Sequence, residues 1–202
     1  IGNGYSEEIL GVNSKFIAGK DLDNNENFII GYYGWLVEER FDWEFIFKVA
    51  EAYKNIEIQL LGYAISDKMK KKLNNYSNIK FFGIVNPREL KNYIVKWNVG
   101  IIPFTERKIS KGSDPLKIYE YIYFGLPTAV KGFDQYKNVP FIFYLNNVND
   151  IQYLISEFNT KEKIQNFREK YKDEIEKFLA LSNWKSRVNI LLEFIKGDTF
   201  WC

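Results

Sequence analysis

The chain has 202 residues, 46% of them hydrophobic, 18% aromatic and 27% charged, enough apolar material for one large domain. Its 28 basic and 26 acidic residues leave a formal charge of +2, so the composition carries no electrostatic footprint for nucleic acid or an anionic membrane. Histidine is absent and the single cysteine, Cys202, is the last residue, which removes His-based triads, His metal sites and any internal disulfide. The sequence shows no signal peptide and no apolar run long enough to span a bilayer. It starts at Ile1 rather than Met, and is therefore expected to be part of something longer.

In chain order, "NFIIGYYG" (27–34) reads as a buried strand closed by Gly34, and "DWEFIFKVAEAY" (42–53) as a helix with Trp43, Phe47 and Ala50 on one face. "IEIQLLG" (56–62) is a strand ended by Gly62, and "SDKMKKKLNNY" (66–76) a short, basic, solvated helix. "IKFFG" (79–83) is a strand ended by Gly83. "NPRELKNYIVKW" (86–97) is a helix with Asn86 as N-cap and Pro87 at its first position. A strand over 98–104 leads to a polar loop, 105–113, with Lys108, Lys111 and Gly112. A helix opening at Asp114-Pro115, strands at 127–132 and 140–145, and helices at 147–158, 161–179 and 183–196 complete the chain. Strands alternating with helices predict βαβ units, hence an α/β, Rossmann-like parallel sheet of five or six strands with helices on both faces. On the last helix, Trp184, Val188, Leu191, Leu192 and Ile195 fall at helical spacing. That stripe reads as core packing, with packing on another domain as the alternative.

Four predicted strands end in glycine: Gly34, Gly62, Gly83 and Gly132. Open α/β sheets bind ligands beyond the carboxyl ends of their strands, and glycine there lets a backbone approach a ligand. With a lysine and an arginine nearby, this favours a nucleotide-sized crevice. The turn "GYYGWLVEER" is not a dinucleotide fingerprint, and "GLPTAVKG" is not a Walker loop.

The segment "SKGSDPLKIYEYIYFGLP" (110–127) carries the sharpest signal. Asp114 as N-cap and Pro115 at the first helical position start a helix, which puts Lys117 in its first turn. A cation there opposes the helix dipole by about 0.3–1 kcal/mol. A Lys117–Glu120 pair, in the poorer orientation, returns about a few tenths of a kcal/mol. A bound anion reverses the sign, because the helix-start amides and Lys117 together hold a phosphate. Glu120, one turn deeper, is then placed to accept two hydroxyl hydrogen bonds from a ribose.

The stretches "IGYYGWLVEERFDWEFIFKVAEAY", "IEIQLLG", "NIKFFGIVNPRELKNYIVKWNVGIIPF" and "DPLKIYEYIYFGLPTAV" resemble, in order and spacing, the C-terminal half of GT-B glycosyltransferases. The group is the large one that includes glycosyltransferase family 4, and "DPLKIYEYIYFGLPTAV" is similar to a signature of members that build bacterial surface polysaccharides. The early "NGY" resembles the linker after the N-terminal domain, and "NWKSRVNILLEFI" the closing helix. The resemblance implies an interdomain linker remnant at 1–26, a donor-binding Rossmann-like domain at 27–180 and a closing helix at 181–202. It implies contacts to the donor diphosphate from Gly34, Arg40, Pro115, Leu116 and Lys117, to the ribose from Glu120, and to the base from Gly83, Ile84 and Val85. The side chains of Ile84 and Val85 by themselves read as packing, and Arg40 beside Glu38 and Glu39 reads equally as a surface charge.

Two family residues are missing. Gly112 stands where members carry a first glutamate, and Trp35 where they carry an arginine facing the diphosphate. The implied function is transfer of a sugar from a nucleoside-diphosphate sugar to a glycan or lipid-linked acceptor. No cofactor and no metal are expected, and the catalytic base is expected in an N-terminal acceptor domain of the full-length chain. The fragment alone is expected to be inactive. Localisation is expected to be cytoplasmic, on the inner membrane face through the missing half. A non-catalytic nucleotide-binding module and a nucleoside-diphosphate-sugar epimerase of the same fold are the alternatives.

Overall fold

A computed structural model describes residues 2–22, 27–107, 110 and 112–197; Lys108, Lys111 and Cys202 lie outside the described residues. Six strands form one sheet: β1 (Phe28–Trp35), β2 (Ile56–Tyr63), β3 (Ile79–Gly83), β4 (Val99–Pro103), β5 (Thr128–Lys131) and β6 (Ile142–Tyr144). Every pairing is parallel and the spatial order is β3-β2-β1-β4-β5-β6. The connections run outward on one side of β1 and then outward on the other, so the order reverses between β1 and β4. That reversal is where ligands settle in open α/β sheets.

The described helices are α1 (Glu7–Leu10), α2 (Trp43–Ala52), α3 (Asp67–Leu73), α4 (Lys91–Ile94), α5 (Leu116–Tyr123), α6 (Asp150–Phe158), α7 (Lys161–Lys170), α8 (Lys172–Ser182) and α9 (Trp184–Gly197). The sheet separates two apolar layers, as alternation along a strand requires. Ile30, Tyr32, Ile58 and Leu60 pack with α2 on one face. Ile29, Leu61 and Ile102 pack with Ile118 and Tyr121 of α5 and Ile175 and Leu179 of α8 on the other. Asp42 caps α2 through Phe45 N at 3.0 Å, and Ser66 caps α3 through Met69 N at 3.2 Å. Gly31 is bare because Trp97 lies on it: a Cβ there would stand 2.0 Å from the indole.

Several expected boundaries move. The helix expected over 86–97 is a 3-10 turn, Pro87–Glu89, followed by the short α4, although Asn86 does cap it through Arg88 N at 3.0 Å. The helix expected over 161–179 breaks at Tyr171 (φ −111°, ψ 22°) into α7 and α8. Tyr171 packs on Phe141 and Phe167 at that corner, a tertiary contact that periodicity does not register. Gly34 and Gly62 do not end their strands; they pair with each other one residue before the ends.

The apolar stripe of α9 is not core. Trp184, Val188, Leu191, Leu192 and Ile195 are all 41% exposed or more. One helix neighbour, α8, is too little surface to cover them. Tyr5 N donates to Ser182 O at 3.0 Å and Trp184 N to Tyr5 O at 3.1 Å, which ties the start of the chain to the α8–α9 junction. Among the described residues no helix is long and apolar enough to cross a membrane.

Candidate functional site

The start of α5 differs from the expected cap. Asp114 does not cap the helix. Its carboxylate accepts from Asn3 N at 2.6 Å, from the Tyr119 hydroxyl at 2.7 Å and from the Tyr136 hydroxyl. Asn3 and Tyr136 arrive from remote segments and Tyr119 from the helix itself, and together they occupy the carboxylate in place of the helix-start amides. Pro115 (φ −71°, ψ 125°) therefore occupies the N-cap position, Leu116 is the first helical residue, and no side chain caps the first turn.

Lys117, second in the helix, reaches back across the end of β1. A Cβ on Gly34 would stand 2.2 Å from its Cε and 2.5 Å from its Nζ. The ammonium sits 5.4 Å from the Tyr33 ring centre and 5.8 Å from that of Tyr32. Burial, and secondarily the charge of Arg40, pull the Lys117 pKa down to about 8. Lys117 and Glu120 do not form the helical ion pair that spacing allows. Neither Lys117 nor Arg40 forms any ion pair among the described residues.

Arg40 lies in the turn after β1. It is not a free surface charge: its guanidinium stacks 4.4 Å from the Phe104 ring centre and its Nη2 donates to Ser113 Oγ at 3.0 Å. Its Nε is buried without a hydrogen-bond partner. Two cations thus line one cavity, and neither is paired with a carboxylate among the described residues. Such an arrangement is electrostatically incomplete until an anion arrives.

Two adjoining cavities meet at Trp35 and Lys117. The first, of about 340 Å³, is lined by Gly34, Gly62, Tyr63, Ile84, Val85 and Lys117 among others. Its floor is tight: a Cβ on Gly62 would stand 1.8 Å from the Gly34 carbonyl oxygen. The second, of about 260 Å³, is lined by Asn3, Arg40, Phe104, Asp114, Pro115, Leu116 and Lys117 among others. The residues expected at the diphosphate and base are therefore gathered, with Gly83 (φ +71°) ending β3 just before the Ile84–Val85 wall. Ile84 is not packing, since it is 79% exposed.

Glu120 lines neither cavity. It is half-buried on α5 and its carboxylate makes no hydrogen bond or ion pair among the described residues, so burial alone raises its pKa to about 7. Gly112 is exposed, and a Cβ there would meet nothing within 4 Å. Trp35, noted in the sequence only as a missing arginine, proves to be an exposed wall of both cavities. A third hollow, of about 280 Å³, lined by Phe143, Tyr153 and Tyr171 among others, lies at the β6 edge and contains none of these residues.

Comparison with solved structures bears on the fold. The fold is that of the C-terminal half of a GT-B glycosyltransferase. Sucrose-phosphate synthase from Thermosynechococcus elongatus superposes with a TM-score of 0.65 at 17% identity, over 97% of this chain and 52% of that one. TarM superposes at 0.63 and 14%, over 87% and 36%. Anabaena Alr3699/HepE, solved in complex with UDP and glucose, superposes at 0.60 and 12%, over 88% and 49%. The chain thus spans between about a third and a half of the structures it resembles. No protein-family model and no curated protein matches the sequence.

Proposed function

We propose that the chain is the donor-binding half of a glycosyltransferase that moves a sugar from a nucleoside-diphosphate sugar to a glycan or lipid-linked acceptor in surface polysaccharide synthesis. One observation carries this reading: Lys117, which lies across Gly34 where the strand order reverses, and Arg40 line the same cavity, and neither forms an ion pair among the described residues. A diphosphate is the anion that such a pair fits. The α5 amides and the two cations then meet the charge that develops on the leaving diphosphate, which is electrostatic stabilisation of the departing group. The exposed carboxyl ends of β1 and β2 leave the opposite side of the cleft open, and an N-terminal domain of the same full-length chain would supply the acceptor site and the base there. The reaction belongs in the cytoplasm, on the inner membrane face where lipid-linked acceptors are presented.

Calorimetric titration of this chain with UDP, GDP, dTDP and their sugars tests the proposal. Binding of at least one nucleoside diphosphate is expected, on the order of 10 µM to 1 mM, because half a cleft supplies part of the contact surface. Absence of binding to all of them would overturn it.

A further inference from the structure

Trp35 and Tyr63 stand at the carboxyl ends of β1 and β2 and are in register with each other. Their rings lie 5.8 Å apart at 64°, and the Trp35 indole N–H donates to the Tyr63 hydroxyl. Trp35 is 57% exposed and Tyr63 45%, while Ile84, across the same cavity, is 79% exposed. Large apolar side chains left in water around a concavity mark a binding surface. The hydrogen bond to Tyr63 satisfies the one polar atom of the indole and fixes its orientation. The ring face is therefore held ready for a ligand at little further entropic cost.

The chemistry of the cavity selects the ligand part. Lys117 is its one charged lining residue, at the end shared with the second cavity, and the other lining residues are glycine, proline, aliphatic or aromatic. A sugar ring placed there would leave several hydroxyls unpaired, which is costly. A nucleobase presents two apolar faces and needs polar partners at its edge alone. The Tyr33 hydroxyl, in the same wall, is buried without a hydrogen-bond partner.

We infer that Trp35 and Tyr63 form a stacking wall for the nucleobase of the donor, holding it over Ile84 and Val85 with the diphosphate at Lys117. This rests on the nucleoside-diphosphate reading above and adds a residue role to it.

The test uses the whole chain with UDP, GDP and pyrophosphate as probes. Trp35→Ala should weaken the preferred nucleoside diphosphate about tenfold or more, as loss of a base–aromatic stack does, and leave pyrophosphate unchanged. Trp35→Phe should restore most of the affinity. It should also abolish the quenching of tryptophan fluorescence by the nucleotide. Far-UV circular dichroism checks that both variants fold, as an exposed side chain predicts. Equal losses for nucleotide and pyrophosphate, or no loss for either, would overturn the stacking role while leaving the nucleotide reading intact. If the native chain binds pyrophosphate and nucleotides equally, there is no base site and the inference falls. If it binds none of these probes, nor dTDP or the nucleoside-diphosphate sugars, both readings fall together.

Discussion

Lys117 lies across Gly34 so closely that no side chain fits at residue 34 without displacing the ammonium. The two residues come from opposite sides of the strand-order reversal, Gly34 from the end of β1 and Lys117 from the helix that follows β4. Gly34 also has φ +133°, a conformation that L side chains rarely adopt.

Gly34→Ala should therefore act twice. Backbone strain should lower stability by about 1–3 kcal/mol. The displaced Lys117 should also lose its grip on a diphosphate. Thermal melting and titration with UDP or GDP measure the two effects separately. Unchanged affinity would show that the Gly34–Lys117 contact does not serve the ligand.

Lys117→Met keeps the length of the side chain and removes a half-buried charge that has no carboxylate partner. Without ligand the variant should melt no lower than the parent, because the desolvation penalty disappears. Nucleoside-diphosphate binding should fall by about tenfold or more, and nucleoside binding by little. A clear drop in the melting temperature would make Lys117 a structural residue.

The pH dependence has a definite sign. Lys117 has a folded pKa near 8, below its ordinary 10.5, and a diphosphate binds its charged form. Affinity should fall above about pH 8, by up to about tenfold per pH unit, as binding comes to require uptake of a proton. Glu120 acts on ligand-free stability instead. Its folded pKa of about 7 lies above its ordinary 4.5, so its contribution to ligand-free stability is greatest below about 4.5 and is lost as pH rises through 7. Denaturation at several pH values should show that fall between about pH 4.5 and 7, and Glu120→Gln should flatten it. An unaltered slope in the Gln variant would place the titration elsewhere.

Glu120 should also distinguish ribose from deoxyribose. Glu120→Gln replaces one acceptor by a donor and should cost about tenfold or more for a ribonucleoside diphosphate, with little effect on the 2′-deoxy analogue. Titrating both proteins with both ligands closes a double-mutant cycle. Additive effects would remove Glu120 from the ribose, a result compatible with its lying outside the lining of both cavities.

The sequence by itself determined the elements, the sheet type and most of the positions around the crevice. Those are local properties: apolar runs of strand length between helical patterns, glycines close to strand ends, and a lysine in a first helical turn are legible without knowing what meets what. Tertiary structure decided which partner each polar group has. Asp114 reads as an N-cap because short-range geometry favours it, yet Asn3 and Tyr136 from remote segments, with Tyr119 of the same helix, converge on its carboxylate. Lys117 and Glu120 are spaced to pair along the helix, but Gly34 opens a groove into which the lysine turns instead. Trp35 was legible only as the loss of an arginine, and the neighbouring strand supplies the Tyr63 hydroxyl that orients it. The stripe on α9 follows the same logic. Its periodicity signals an apolar face, but only the packing of the domain reveals that no described element covers it. Hydrophobic pattern depends on the chain's own period, whereas burial and hydrogen-bond partners depend on segments brought together from far along the chain.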